Sequence, residues 1–222
     1  MTYSIFPTSD GSNTLYTSQF NASYHSVHGA LEESKVVFIQ LGLQYLAERG
    51  YQNIRLFEMG FGTGLNAALS FQYAGQHGLN LQYTGVEAFP VPTDTIHQAN
   101  FSALFAAPFD ETFLELHRLS WNQDHLLEAN SHFVKWQTRL EDFSSENKYD
   151  LIYFDAFAPE CQPELWTEDV LQKMYNLLDG NGVLTTYCAK GIFKRTLKKV
   201  GFHLENHPGP GRKREITRAI KM

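Results

Sequence analysis

The stretch Ile54-Arg55-Leu56-Phe57-Glu58-Met59-Gly60-Phe61-Gly62-Thr63-Gly64-Leu65-Asn66-Ala67 decides the fold. Ile54–Glu58 is a short apolar run that ends in glycines, and Leu65–Ala74 follows with helical periodicity. A strand that turns through glycines into a helix is the first half of a βαβ unit. The rhythm continues outward. Leu81–Glu87 reads as a strand, Asp94–Phe105 as a helix, and His132–Thr138 alternates like a strand. Tyr149–Asp155 is the clearest buried strand. Pro163–Leu178 reads as a helix closed by Asp179-Gly180-Asn181-Gly182, and Val183–Tyr187 is β-branched and apolar. Phe193–Val200 is helical up to Gly201, and Phe202–Asn206 and Glu215–Ile220 are two last strands around a glycine-proline turn. Strands alternating with helices predict an α/β fold, a parallel sheet covered on both faces with ligands outside the C-terminal strand ends. The first fifty residues stand apart. They predict two short strands near Thr14–Phe20 and a helix from about Glu33 to Glu48, an N-terminal extension (1–50) packed on a main domain (51–222).

Composition sets the outer bounds. A chain of 222 residues, 43% apolar and 19% charged, fits one soluble domain with a sizeable core. Two cysteines, Cys161 and Cys188, are too few for a disulfide framework. Cys188, Trp166 and Tyr175 read as core residues. There is no long apolar run to cross a membrane, and MTYSIFPTSDGSN lacks the basic flank and apolar segment of a secretory signal, so a cytoplasmic setting is expected. The nine histidines show no H-E-x-x-H or C-x-x-C spacing, and no metal site is expected. Charge is unevenly spread. Residues 1–189 carry 8 Lys and Arg against 22 Asp and Glu, whereas residues 190–222 carry 10 against 2. An acidic body with a basic end fits either a phosphate-facing patch or a solvated helix face.

The glycine loop leaves competing readings open. Gly62-Thr63-Gly64-Leu65-Asn66-Ala67 satisfies the dinucleotide pattern G-x-G-x-x-G/A, and a tight structural turn would also use glycines. The carboxylates favour S-adenosylmethionine. Glu87 ends the second strand, where a carboxylate can accept both ribose hydroxyls. Glu58 sits ahead of the first glycine, where it would attract a cationic methionine ammonium but repel pyrophosphate. Asp155 ends the buried strand in Asp155-Ala156-Phe157-Ala158-Pro159, facing the ligand crevice beside a rigid aromatic-proline loop. That setting suits an amine or base acceptor held next to a methyl donor. Tyr24 and Tyr153 are further candidates for the pocket lining.

FEMGFGTGLNA, VEAFP, FDAFAPECQPELW and GRKREI together resemble the S-adenosylmethionine-dependent tRNA 5-(aminomethyl)-2-thiouridine methyltransferases. These comprise the methyltransferase half of the bifunctional MnmC enzymes and their stand-alone relatives. The resemblance runs over roughly residues 15 to 221, and with no flavin-binding half in view it implies the stand-alone form. It implies a class I methyltransferase fold, Rossmann-like, with seven strands and an antiparallel last strand. It implies methylation of the 5-aminomethyl nitrogen of a tRNA wobble 2-thiouridine. By position, Glu58, Gly60, Gly62 and Gly64 match the donor loop, Glu87 the ribose acid, and Asp155 the acid at the reaction centre. Arg212, Lys213 and Arg214, with Lys190, match a basic tRNA-facing tail, and Phe157 stands where it could stack on an extruded uracil. Thr138-Arg139-Leu140 occupies the place of the family's Gly-Asp, so the adenine contact falls either to the Leu140 backbone or to a shifted carboxylate. Rival readings are a small-molecule N- or O-methyltransferase, an NAD(P)-dependent oxidoreductase, and a non-catalytic RNA-binding module.

Overall fold

A computed structural model describes residues 2–127, 131–210 and 215–222. Its centre is Tyr149–Phe154 (β8), every residue of which is buried. A strand this continuously buried has both its faces covered, as in a parallel sheet. Asn53–Met59 (β4) runs parallel on one side and Leu178–Thr186 (β9) on the other. Beyond β4 lie Asn80–Glu87 (β5), His132–Gln137 (β7) and the short edge strand Asp124–Leu126 (β6). Beyond β9 lie Glu215–Lys221 (β11) and then Phe202–Pro208 (β10). Strand β11 is antiparallel to both its neighbours, as expected of the last strand. Among the described residues the sheet has eight strands rather than the expected seven, because β6 adds an antiparallel edge to β7.

Side chains of β8 alternate. Leu151 and Tyr153 enter the core shared with Leu56, Tyr83 and Val183, while Ile152 and Phe154 enter a second core with Phe57 and Leu184. Glu168–Leu177 (α6) and Gly191–Val200 (α7) cover the second core, with Leu171, Met174, Phe193 and Leu197 buried. Leu65–His77 (α3) and Phe109–Arg118 (α5) cover the first. The helix expected over 94–105 ends earlier: Thr93–Ala99 (α4) stops at Asn100, whose φ of 55° breaks the helical turn. Pro163–Trp166 is a 3-10 turn, and Asp179–Gly182 bulges out of β9 between its pairings at Leu178 and Val183.

The first fifty residues build a small antiparallel sheet from Tyr3–Pro7 (β1), Asn13–Thr17 (β2) and Ala22–Ser23 (β3). An unbroken helical run follows: Ala30–Ser34 (α1), a π-helix over Lys35–Gln44, and Tyr45–Glu48 (α2). Leu15, Val37, Phe38 and Leu43 lie in the first core. The π-helix crosses the sheet so closely that a Cβ on Gly42 would come within 3.0 Å of both Leu151 and Tyr153. Strand order turns at β4 and β8, since the chain leaves β4 towards β5 and later returns to β8. Ligands bind at such a switch point, beyond the C-terminal strand ends.

Candidate functional site

A cavity of about 500 Å³ opens at that switch point. Its floor is the turn from β4 into α3. Gly60 has φ 91°, and a Cβ there would stand 2.5 Å from the Asp155 carbonyl oxygen. The amides of Gly60 and Phe61 both donate to the Val86 carbonyl. The loop is therefore wedged between the ends of β5 and β8, and this approach needs glycine at position 60. Gly62 lines the cavity beneath Tyr24, while Gly64 stands behind the wall, where its left-handed φ of 71° starts α3 against His117.

The three carboxylates occupy different environments. Glu87, at the end of β5, lines the cavity and accepts from the amides of Gly62 at 3.0 Å and Phe89 at 2.9 Å. Burial raises its pKa, and these backbone donors pull it back. The Asp155 side chain also lines the cavity. Burial pushes it from the ordinary carboxylate value up to about 7, opposed by a hydrogen bond from Asn66 Nδ2 at 2.9 Å. Glu58 departs from the expectation. It is fully buried behind the cavity wall, with one oxygen accepting from Tyr83 at 2.5 Å and the other from Asn66 at 2.9 Å. Because β4 alternates, Glu58 shares a face with Leu56 and points under α3 rather than towards the crevice.

The roof comes from the extension and from the loop after β8. The Phe157 ring lies 4.9 Å from Phe20 and 5.0 Å from Tyr24, and Phe20 lies 5.5 Å from Phe89. Two hydrogen bonds pin the Asp155-Ala156-Phe157 loop: Trp166 Nε1 donates to the Phe157 carbonyl and the Tyr187 hydroxyl to that of Ala156. His25 bonds Thr63 Oγ1 at 2.7 Å, and burial lowers its pKa to about 4, so it stays neutral. Tyr24 lines the cavity as expected, but Tyr153 does not; it is buried under the π-helix against Phe38, its hydroxyl beside that of Ser70. Leu140 reaches the cavity wall, and its carbonyl accepts from Lys173.

The basic end of the chain is less uniform than its charge count. Arg218 is buried, paired with Glu205 and stacked 3.7 Å above the Tyr45 ring, and Lys221 donates to the carbonyls of Tyr175 and Leu178. Lys190 pairs with Glu160, Lys194 with Glu215 and Lys199 with Glu168. Arg195, Lys198 and Lys199 lie on the exposed side of α7. Arg212, Lys213 and Arg214 lie outside the described residues. Among the described residues, no helix is long and apolar enough to cross a membrane.

Sequence reasoning missed Phe20, Phe89, His25 and Asn66. The aromatic residues sit in loops without periodicity. Asn66 lies inside the quoted glycine stretch, at the start of α3.

Known proteins resemble this chain. Residues 100–222 match the family described as S-adenosyl-L-methionine-dependent methyltransferase. A tRNA 5-methylaminomethyl-2-thiouridine biosynthesis bifunctional protein MnmC from Leptospira borgpetersenii is 31% identical over 215 residues, covering 91% of this chain and 33% of the relative. The protein of the same name from Acinetobacter baylyi is 29% identical over 230 residues, covering 95% and 36%. The chain thus spans about a third of the length of the curated relatives it matches. The crystal structure of MnmC2 from Aquifex aeolicus shares the fold, with a TM-score of 0.81 at 24% identity over 98% of this chain and 70% of that one.

Proposed function

The chain belongs to the S-adenosyl-L-methionine-dependent methyltransferase family, and on that footing we propose that it methylates the 5-aminomethyl nitrogen of 2-thiouridine at the tRNA wobble position. The product is 5-methylaminomethyl-2-thiouridine. The observation that carries this reading is the 31% identity, over 91% of the chain, to a protein named for biosynthesis of that nucleoside. An enzyme with this substrate works in the cytoplasm.

The cavity suits the donor. Its volume lies within the range of small-molecule sites, and Glu87 and Asp155 line it with carboxyl oxygens. When bound, the donor supplies a methyl group on a positively charged sulfur, which an amine nitrogen can take as the carbon–sulfur pair leaves on sulfur. The chain's own residues do the rest. Glu87 holds the ribose hydroxyls, the Gly60–Gly64 turn lets the methionine part approach the backbone, and Leu140 flanks the adenine. Asp155 orients the acceptor amine and takes up the proton it sheds. An alkyl amine is mostly protonated near neutral pH, so a carboxylate titrating at about 7 is well matched to that task. Phe157, Phe20 and Phe89 stack against the extruded base, and a roof supplied by residues 1–50 over a main domain of 51–222 excludes water. Arg195, Lys198 and Lys199 on α7, with Lys190 and Arg212–Arg214, meet tRNA phosphates.

The test is transfer of labelled methyl from S-adenosyl-L-methionine to tRNA carrying 5-aminomethyl-2-thiouridine, followed by nucleoside analysis. Label in 5-methylaminomethyl-2-thiouridine is expected. Label passing to a free metabolite amine but not to tRNA would replace this reading with the small-molecule one.

A further inference from the structure

The loop after β8 closes on itself just beyond Asp155. The Ala158 carbonyl accepts from the amides of Cys161 at 2.7 Å and Gln162 at 3.0 Å. This single helical turn brings Gln162 back beside Ala158, and both line the cavity. The Gln162 carbonyl in turn accepts from the Leu165 amide at 3.2 Å, and Pro163 fixes the backbone directly after it. The main chain of Gln162 is thus held on both sides. Its side chain is half-buried, and among the described residues no group bonds its amide. Asn66 is the other amide on the cavity wall, and its NH2 group is taken by Glu58 and Asp155. Among the described residues, Gln162 is therefore the cavity-lining amide with both a donor and an acceptor to offer.

We propose that Gln162 reads the imide edge of the target base, its carbonyl oxygen accepting from N3–H and its NH2 group donating to O4. The proposal rests on the tRNA reading given above. A uracil edge sets an acceptor beside a donor, and a carboxamide is the side chain that answers both at once. A carboxylate has no proton for O4, and a hydroxyl meets only one of the two groups. The placement follows from the ring itself. C5, C4 and N3 are consecutive atoms, so a base that sends its C5 aminomethyl arm to Asp155 presents O4 and N3–H to the next stretch of wall. The next stretch of the same loop is the turn that carries Gln162. One loop then supplies an acid for the amine, the Phe157 ring for the face of the base and an amide for its edge. Trp166 and Tyr187 hold that loop by the carbonyls of Phe157 and Ala156, so the three groups keep a fixed spacing.

Two anticodon stem-loops test this, one carrying 5-aminomethyl-2-thiouridine and one carrying the same base methylated at N3. Binding is measured with S-adenosyl-L-homocysteine present, and transfer with S-adenosyl-L-methionine. Gln162→Leu, similar in size but unable to pair, is expected to bind the first stem-loop about five- to a hundredfold more weakly, with a matching fall in kcat/KM, as for a lost bidentate base contact. Its affinity for S-adenosyl-L-homocysteine alone should stay within about twofold of the parent's, because the donor does not reach this turn. The parent should prefer the stem-loop with a free N3–H, and Gln162→Leu should shrink that preference by about fivefold or more. A preference of the same size in both proteins, or parent-like handling of the first stem-loop by Gln162→Leu, overturns the proposal. If Gln162→Leu does not fold, Gln162→Glu decides. It sets a second acceptor against O4 and should cost about tenfold or more in binding the first stem-loop, and unchanged binding refutes the contact. A parent chain that methylates neither stem-loop would sink the tRNA reading and this proposal with it. Methylation of the first stem-loop by Gln162→Leu as by the parent would sink this proposal alone.

Discussion

Replacing Asp155 by Asn should make the free protein more stable at pH 8 and nearly inactive. In the folded chain burial lifts Asp155 from 3.8 to about 7. A carboxyl raised in this way stabilises the fold while it is protonated, below its unfolded value. That contribution is lost as pH rises from about 4 through 7, so at pH 8 the native state carries the cost of an ionised, poorly hydrated acid. A rise of about 3 units corresponds to an upper bound of ~4 kcal/mol at about 1.36 kcal/mol per unit. The side chain faces an open cavity, and solvent screening reduces this to roughly 1–2 kcal/mol. Asn removes the charge but keeps an oxygen to accept from Asn66. For a chain of this size the gain is about 2–8 °C in Tm at pH 8, shrinking to nothing near pH 4. Thermal denaturation of both proteins without ligand, from pH 4 to pH 8, measures it. A sulfonium donor prefers the ionised acid, so binding to the parent protein should tighten as pH rises through 7. With only about a tenth of Asp155 ionised at pH 6, the donor should bind there about tenfold more weakly than at pH 8. The variant should lose this dependence. An Asn variant no more stable than the parent at pH 8, together with a parent whose donor affinity is flat across pH 6 to 8, would refute the reasoning.

Other outcomes follow from the same geometry. Glu87→Ala should cost about ten- to a hundredfold in donor affinity through the ribose contact, and calorimetry giving unchanged affinity in a folded variant would remove Glu87 from the site. Gly60→Ala puts a methyl 2.5 Å from the Asp155 carbonyl oxygen at a positive φ; urea denaturation should show a loss of about 1–3 kcal/mol or more, with donor binding abolished. Exchanging Arg195, Lys198 and Lys199 for Gln should weaken tRNA binding and flatten its salt dependence while sparing donor affinity. Binding with an unchanged salt slope would show that α7 only solvates its exposed face. Replacing Arg212, Lys213 and Arg214 in the same way tests the tail separately.

What the sequence made legible was whatever local pattern determines. Strands β4, β5 and β8 and the glycine turn are readable because a strand buried on both faces is mostly apolar and a ligand-approaching turn needs glycine. Glu87 and Asp155 are readable for the same reason, since a carboxylate at a parallel strand end faces the crevice. Helix α5 was missed although Phe109, Phe113 and Leu116 recur at helical spacing. Glu58 shows the limit most clearly. Its residue type and position were visible, but its direction depends on the alternation of β4 beneath α3 and on Tyr83 from the neighbouring strand. The roof of Phe20, Phe89 and Phe157 is an apposition of three distant loops, with no local signature. The basic tail misleads for a similar reason: a charge count does not register that Arg218 and Lys221 turn inward to Tyr45, Glu205 and backbone carbonyls.

The seating of the π-helix has a consequence for the order of synthesis. Its neighbours are α3, β8, β9 and β11, and Arg218 of β11 donates to the Leu41 carbonyl while stacking on Tyr45. A segment made among the first fifty residues therefore completes its contacts only when β11, near the other end of the chain, has emerged from the ribosome. Until β8 and β9 are made, Val37, Phe38, Ile39 and Leu43 lack the sheet that covers them. The nascent chain therefore carries an incompletely covered apolar segment through much of its translation, the interval in which chaperone capture competes with misassociation.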